Sequence, residues 1–290
     1  MSNLNNHWLE NVRNETLTSF FKLFPYLASD YFYIIVLALG FWMSVRKRLF
    51  IDLGFLVPFS TLINIILKNS FAIARPPEFL HLVPNHVNYG FPSGDVQVGM
   101  VFWGMIFLNT KSISLRVVSC LAIIGISMSR IYLGVHSFAD VLGGLLFGGA
   151  ILFIYNCNYG RKLQDSWLEN STGSYWYILL LVSLIYAGIA IKKDESGFAL
   201  VSIGVLVGLG IVFKNIDIKS DSRAASIFQA LCSLIILFIF YKFFPLYKTT
   251  KFVFYLSAIV KYAMLTLMIY AFLPLLQRKI NIDSRFMQRN

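Results

Sequence analysis

The sequence predicts an all-α protein, a multi-span membrane helical bundle, and two observations lead to that prediction. Hydrophobic residues make up 57% of the 290 residues and charged residues only 13%, a far smaller charged share than soluble domains have. The apolar residues lie in long runs spread over the chain, separated by short basic or glycine- and proline-containing stretches, which is typical of repeated membrane crossings. This composition excludes a soluble globular protein.

The first element predicted is an interfacial amphipathic helix over residues 1–28. Trp8, Leu17 and Phe21 are among the apolar residues that recur there at helical spacing opposite a polar face, and Pro25 closes the segment. About nine transmembrane helices follow, and several need their polar ends to reach the ~20 residues that a bilayer requires. The predicted spans are 31–45, 50–67, 96–108, 115–128, 141–155, 175–191, 198–213, 227–244 and 252–276.

The basic residues predict an orientation in the membrane. The net charge is +11, but the basic residues stand in short clusters without a nucleic-acid-reading motif, so no nucleic acid partner is expected. If the first span runs inward, fourteen of the 25 Lys and Arg residues face the cytoplasm, and the N-terminus is outside and the C-terminus inside. The segments that hold these fourteen are 46–48, 111–116, 161–162, 214–223 and 278–289.

Polar residues cluster at the outer ends of spans two and three. Lys68 and Arg75 are two helical turns apart, although Pro76 favours a non-helical Arg75. The simpler interpretation is a pair of interfacial cations whose charged ends reach water. Ser93 and Asp95 begin the third span, where either is a plain helix cap, or where a small-residue turn directs free backbone N–H groups at an anion.

A third cluster lies between spans four and five. His136 and Asp140 are four residues apart, so on a helix the carboxylate is within reach of one ring nitrogen and leaves the other free to attack. Arg130 stands just before them. A histidine beside an aspartate is more often a structural pair than a nucleophile, but three nearby cations favour the catalytic interpretation.

Taken together, the motifs resemble the type 2 phosphatidic acid phosphatase superfamily. The shared pattern is Lys-x6-Arg-Pro, then Pro-Ser-Gly, then Ser-Arg-x5-His-x3-Asp, on consecutive predicted helices over about residues 50–155. The resemblance implies an all-helical membrane core and a covalent phosphohistidine mechanism that uses no metal and no other cofactor. It also implies substrates that are phosphate or diphosphate esters, commonly of lipids.

The resemblance implies a role for each motif residue. His136 is the nucleophile and Asp140 orients it, while the remaining residues bind the phosphoryl oxygens. One departure concerns the residue after Pro-Ser-Gly, where the family usually has a histidine as general acid and this chain has Asp95. Three explanations of Asp95 are open. The substrate is a diphosphate, whose leaving group needs little protonation, or His81 or His86 donates the proton instead. The third is that Asp95 only caps a helix in an impaired site. The implied phosphate-binding residues are Lys68, Arg75, Ser93, Gly94 and Arg130.

The expected function is that of an integral membrane phosphatase, a phosphoric ester or diphosphate hydrolase that acts on a phosphorylated lipid. A lipid diphosphate such as polyprenyl diphosphate, or a lipid monophosphate, is the expected substrate. The alternatives are a lipid phosphotransferase and a catalytically weak relative that binds or transports a phosphorylated lipid. The expected organisation is residues 1–28 at the interface, a phosphatase core at 29–158 and a four-span extension at 159–290. The expected location is the cell inner or plasma membrane, among membrane lipids, with an extracytoplasmic active site.

Overall fold

The computed structural model describes residues 12–44, 46–84, 89–157, 205, 223–243 and 251–268. Within these ranges every regular element is a helix, and the one β-type pairing is an isolated bridge between Ala74 and Tyr89. The all-α prediction is confirmed for this part of the chain. Two short 3₁₀ helices cover Phe24–Ala28 and Glu78–Leu80. The α-helices are α1 (Glu15–Phe21), α2 (Asp30–Met43), α3 (Lys47–Phe71), α4 (Gly94–Asn109), α5 (Ile113–Tyr132), α6 (Phe138–Asn156), α7 (Arg223–Phe243) and α8 (Lys251–Leu267).

Several of these helices are long and apolar enough to cross a membrane. Among the described residues α3, α5 and α6 meet that condition, and Glu15–Ala28 with α2 makes a fourth span if this pair, bent by 53°, counts as one. Helix α4 has 16 residues and is shorter than a full crossing. The apolar helices are those of a membrane protein. Apart from residue 205, the predicted spans 175–191 and 198–213 lie outside the described residues, so the number nine stays a prediction.

The chain divides into two compact units. One comprises Met1–Ile34 and Phe59–Lys162, and the other comprises Ile35–Pro58 and Leu163–Asn290. In the second unit, buried apolar side chains from α2, α3, α7 and α8 form one hydrophobic core. This core contains Ala38, Phe41, Trp42, Ile51, Ala230 and Leu265. The sequence-based division at residues 28 and 158 stays a prediction.

In the first unit, α4 packs against both α5 and α6. Glycine allows the close approach of α6 to the start of α4, because a Cβ atom at Gly144 would lie 2.8 Å from the carbonyl oxygen of Ser93. That carbonyl accepts a hydrogen bond from the amide of Gln97 at 3.0 Å within the first turn of α4. The packing of α6 therefore sets the position of the Pro-Ser-Gly turn.

Gly144→Ala is expected to destabilise the protein and displace Ser93, because backbone atoms rather than a flexible side chain meet the added methyl group. The free energy of unfolding should fall by about 1–3 kcal/mol. Gly149→Ala is the matched control, since its added methyl would lie 3.8 Å from the nearest atom, Cε of Met100. Melting temperatures of the two variants in detergent check this, and equal stability of the two would contradict the packing argument.

Residues near the N-terminus of the chain hold the loop between α5 and α6 in place. Arg13 donates hydrogen bonds to the carbonyls of Leu80 (2.8 Å) and Tyr132 (2.9 Å). Phe21 of α1 stacks on Tyr132, with ring centroids 4.5 Å apart. Gly134 in this loop has a φ of 74°, a left-handed conformation that favours glycine. The loop therefore reaches His136 with its backbone already constrained.

Candidate active site

Four helix ends meet in the first unit and form the candidate site. Lys68 lies in the last turn of α3 and Arg130 in the last turn of α5. Ser93 precedes α4, and its amide donates a hydrogen bond to the carbonyl of Asp140, in the first turn of α6, at 2.9 Å. Because consecutive helices run in opposite directions, the ends of α3 and α5 lie beside the starts of α4 and α6. The motifs at 68–76, 91–95 and 129–140 therefore share one end of the bundle.

The imidazole of His136 is buried, with 3% of the residue exposed, and both of its nitrogens have partners. Nε2 lies 3.0 Å from Nη1 of Arg75, and Nδ1 lies 3.4 Å from Oδ2 of Asp140. A guanidinium has only donors, so Nε2 must accept and the proton of the neutral ring must be on Nδ1. This tautomer leaves the Nε2 lone pair directed at a cation, where a phosphoryl group would bind.

Asp140 is held in place by the first turn of α6. Its Oδ2 accepts a hydrogen bond from the amide of Ser137 at 2.8 Å, and the hydroxyl of Ser137 accepts one from the amide of Asp140 at 3.2 Å. This reciprocal arrangement is a capping box. A carboxylate fixed in this way keeps the Nδ1 proton in place and so orients the ring.

The environment of His136 keeps its ring neutral. Burial, followed by the positive charges of Arg75 and Lys68, lowers the pKa of His136 from 6.5 to about 3, against the opposing effect of Asp140. His136 lies in the loop between α5 and α6. A neutral imidazole is the nucleophilic form, so the free site is ready for attack at neutral pH without prior loss of a proton.

The lowered pKa of His136 predicts how stability changes with pH. Between pH 6.5 and about 3 the unfolded chain binds a proton at this residue that the folded chain does not, so stability falls as the pH falls through that window. At pH 5 the loss is about 2 kcal/mol. His136→Gln removes this group, so the drop in melting temperature from pH 7 to pH 5 should be smaller in the variant. An equal drop in both proteins would show that His136 does not titrate as proposed.

Lys68 and Arg75 bring positive charge to His136. The Nζ of Lys68 donates hydrogen bonds to the carbonyls of Tyr89 (2.8 Å) and Gly90 (3.1 Å). Nη1 of Arg75 also donates to the carbonyl of Val135 at 2.9 Å. These carbonyl oxygens help to orient the two cations. Lys68 is buried, so the interpretation of this pair as two snorkelling interfacial cations is wrong for Lys68.

The start of α4 offers further hydrogen-bond donors. Ser93 is the N-cap residue, but its hydroxyl makes no cap hydrogen bond, is 0% exposed and has no partner among the described residues. A buried hydroxyl without a partner is costly unless a ligand binds it. The first amides of α4, beginning with that of Gly94, have no acceptor within the helix. The turn therefore suits an anion.

Asp95 and Arg130 form an ion pair at the edge of the site, with Oδ2 of Asp95 2.9 Å from Nε of Arg130. Asp95 thus contacts one of the expected phosphate-binding cations. Among the alternative proton donors, His81 places Nε2 3.0 Å from the carbonyl of Pro76, which holds the Nε2 proton there. His86 lies outside the described residues.

Sequence reasoning missed a buried polar network behind the site. Nδ2 of Asn64 donates to the carbonyl of Pro92 (3.2 Å) and to Oε1 of Gln97 (2.9 Å), and Nε2 of Gln97 donates to the carbonyl of Ser60 (3.1 Å). These residues fix the turn that carries Ser93. The sequence did contain a signal for this network, because Asn64 and Gln97 each place an amide side chain within an apolar run. Burying such a side chain is costly unless it has a hydrogen-bond partner.

Several known proteins are similar in sequence to this chain. Lipid phosphate phosphatase delta of Arabidopsis thaliana is 26% identical over 197 residues, which are 62% of this chain and 47% of that protein. A dihydrosphingosine 1-phosphate phosphatase of Schizosaccharomyces pombe is 27% identical over 55% of this chain and 42% of its own. Phosphatidylglycerophosphatase B of Bacillus subtilis is 28% identical over 44% of this chain and 67% of its own length. The chain spans about half the length of the first two relatives, and no solved structure matches it significantly.

The segment that carries all three motifs also matches a family model. Residues 49–163 match the model of the PAP2 superfamily, and this range agrees with the 50–155 over which the motifs resemble the type 2 phosphatidic acid phosphatases. The helix ends that form the site, from Lys68 to Asp140, all lie within it. The part of the chain that carries the site, residues 49–163, is therefore similar to the PAP2 superfamily.

Proposed function

We propose that the protein is a membrane phosphatase that hydrolyses the phosphate ester of a lipid through a phosphohistidine intermediate. The observation that supports this most directly is the arrangement around His136. Its Nε2 accepts from Arg75 at 3.0 Å, and its Nδ1 proton points to Asp140. A lone pair beside a guanidinium, with a carboxylate behind the ring, is what in-line attack on a bound phosphoryl group requires.

The first chemical step transfers the phosphoryl group to the protein. Nε2 of His136 forms a bond to phosphorus and the ester P–O bond breaks. The leaving alkoxide takes one proton from a water molecule and departs as the alcohol. Arg75 then contacts a phosphoryl oxygen in place of Nε2, while Lys68 and Arg130 neutralise charge on the equatorial oxygens. Asp140 stabilises the positive charge that develops on the ring. The serine hydroxyl and free amides at the start of α4 add further donors.

The second step returns the phosphoryl group to water. The P–N bond breaks, the water oxygen bonds to phosphorus, and the released inorganic phosphate restores neutral His136. A lipid hydroxyl in place of water would make the same site a phosphotransferase. A protein that only binds or transports the lipid would not complete the first step.

The names of the relatives favour a lipid monophosphate as the substrate. They are phosphatases of a lipid phosphate, of dihydrosphingosine 1-phosphate and of a phosphatidylglycerophosphate, and apolar helices surround the site described here. A lipid diphosphate is the second candidate, and Asp95 is the observation that favours it. A phosphate leaving group is already a stable anion and does not need the acid that a histidine would supply.

A phosphate-release screen tests the function. Purified protein in detergent is offered long-chain monophosphates, polyprenyl diphosphate and a soluble sugar phosphate, with EDTA present because no metal is expected to take part. We expect release from at least one lipid substrate and none from the His136→Gln protein. Release from the sugar phosphate alone, or release that needs added Mg²⁺, would contradict the proposal, and lipid binding without release would favour the transport alternative.

We further propose that the site faces the extracytoplasmic side and that the C-terminus is inside. The site residues share one end of the first unit. At the opposite end of these helices, the basic residue Lys111 lies between α4 and α5, and Arg116 lies near the start of α5. In a background without the three cysteines, Glu78→Cys should react with a membrane-impermeant maleimide added outside intact cells. Lys111→Cys, also exposed, is the matched control and should react only after lysis. The reverse pattern would place the site in the cytoplasm.

A further inference from the structure

Arg13 joins two chain segments beside the candidate site. Its Nη2 donates hydrogen bonds to the carbonyls of Leu80 (2.8 Å) and Tyr132 (2.9 Å), and its Nε donates to the carbonyl of Tyr132 at 3.2 Å. Leu80 ends the 3₁₀ helix Glu78–Leu80, and Tyr132 ends α5. Hydrogen bonds from a charged guanidinium are stronger than those between neutral groups. These contacts, the Arg13 clamp, therefore hold the two segments together.

Each of the two segments carries one of the groups that meet at the site. Arg75 lies five positions before Leu80, and His136 lies four positions after Tyr132. Nη1 of Arg75 lies 3.0 Å from Nε2 of His136. The contact between the guanidinium and the imidazole therefore bridges the same two segments that the Arg13 clamp joins.

Further hydrogen bonds connect the backbone between the Arg13 clamp and the site. The amide of Leu82 donates to the carbonyl of Leu133 at 3.0 Å, which ties the two segments together a second time. Nε2 of His81 lies 3.0 Å from the carbonyl of Pro76, which ties the first segment to itself directly after Arg75. Because these contacts leave little slack, a shift at the clamp moves the two site residues with it.

The start of α1 fixes the position of Arg13. Asn14 is the N-cap residue of this helix, and its side chain accepts a hydrogen bond from an amide of the first turn at 2.8 Å. The hydroxyl of Tyr132 donates to the carbonyl of Asn14 at 3.3 Å and lies 3.1 Å from Oγ1 of Thr18. The ring of Phe21 stacks on the same tyrosine. The residue before the cap is thus held by a helix that is docked on one of the segments it clamps.

We propose that Arg13 is a positioning residue for the phosphatase reaction, because the Arg13 clamp sets the distance between the guanidinium of Arg75 and Nε2 of His136. Attack requires a phosphoryl group held between these two groups, and a misplacement of about 1 Å there costs about 10²-fold in rate. Arg13 acts through the two segments and does not bind the substrate. It lies before residues 49–163, so the match to the family model assigns it no role. This inference rests on the proposed phosphatase function.

Three substitutions test the inference by phosphate release from a lipid monophosphate. Arg13→Met keeps a long side chain but removes every donor, and should lower kcat by about 10- to 100-fold. Arg13→Lys should stay within about threefold of wild type, because one ammonium nitrogen can donate to both carbonyls as Nη2 does. Lys22→Met is the matched control, since it removes one positive charge from the exposed C-cap of α1, and it should keep the wild-type rate. Equal rates in Arg13→Met and wild type would overturn the inference.

A double substitution separates positioning from a general loss of stability. If Arg13 acts through the distance between Arg75 and His136, its effect should shrink once that guanidinium is absent. Arg13→Met in an Arg75→Lys background should therefore lower the rate by less than about threefold further. Loss of the same factor in both backgrounds would show a merely structural role. Arg13→Gln, whose shorter amide reaches only one of the two carbonyls, takes the place of Arg13→Met in the same comparison if the methionine variant does not fold.

Vanadate binding separates this inference from the proposed function, because it needs no turnover. Vanadate adopts the geometry of a phosphoryl group under attack, so its affinity in a calorimetric titration should fall about tenfold in Arg13→Met and be kept in Arg13→Lys. If vanadate binding depends on Arg13 in this way but no lipid releases phosphate, the phosphatase function fails and the positioning role stands. If lipids release phosphate and Arg13→Met binds vanadate as tightly as wild type, the function stands and the positioning role is wrong. Wild-type protein that neither binds vanadate nor releases phosphate would overturn both.

Discussion

Replacing His136 with glutamine is expected to reduce phosphate release from the lipid substrate by at least about 10³-fold, because the proposed nucleophile is removed. Glutamine fills a similar volume and offers an amide that can still meet Arg75 and Asp140. The variant should therefore fold and still bind substrate or inorganic phosphate. Initial rates under substrate saturation, with a melting curve for each protein, measure the effect.

Two comparisons make the His136 result specific. Asp140→Asn should be slower than wild type but more active than His136→Gln, because Asp140 orients the ring at 3.4 Å from Nδ1 and does not itself attack. His81→Gln should stay near the wild-type rate, because the side chain of His81 contacts the carbonyl of Pro76 and not His136. Full turnover by a folded His136→Gln protein would remove the basis of the mechanism.

Replacing Arg75 with lysine is expected to reduce kcat/KM by about 10²-fold even though the positive charge is kept. One nitrogen of Arg75 contacts both the carbonyl of Val135 and Nε2 of His136. A lysine ammonium is a single point of charge that cannot keep the first contact and also present a planar fork to a phosphoryl group.

The control for Arg75→Lys is Arg116→Lys. Arg116 lies over the ring of Phe107, 5.6 Å from its centroid, and belongs to the opposite end of the helices. Its replacement should leave kcat/KM within about twofold of wild type, as is usual for surface changes. Vanadate inhibition separates binding from positioning, and we expect weaker inhibition in Arg75→Lys only. Equal loss in both variants would indicate a general effect of lysine on stability.

The arrangement of the site along the chain could be predicted from the sequence. The spacing of His136 and Asp140 by four residues predicts that their side chains are within reach of each other, and the structure places Nδ1 and Oδ2 3.4 Å apart. The prediction that both lie on one helix face is wrong for His136, which precedes α6. The order of the motifs on antiparallel spans also brings Lys68, Ser93 and Arg130 to one end. Local spacing and helix direction determine both results, so neither required knowledge of distant contacts.

The remaining features depend on contacts between residues far apart in sequence. Asp95 and Arg130 are 35 positions apart, and only the packing of α4 on α5 shows that they pair. Arg13 reaches the carbonyl of Tyr132 across 119 positions, although sequence periodicity predicts only an interfacial helix there. Helix α4 has 16 residues because Asn109 ends it and Thr110 is extended, a boundary that an apolar run does not reveal.

Trapping the phosphoenzyme tests the central claim most directly, namely that the phosphoryl group passes through Nε2 of His136. Wild-type protein is mixed with lipid substrate carrying radiolabelled phosphate, quenched in base within the first turnover and digested for mass spectrometry. We expect acid-labile, base-stable label on the peptide that contains His136, and no label in His136→Gln. Label on any other residue, or substrate turnover by wild type without a labelled intermediate while His136→Gln stays equally active, would contradict it.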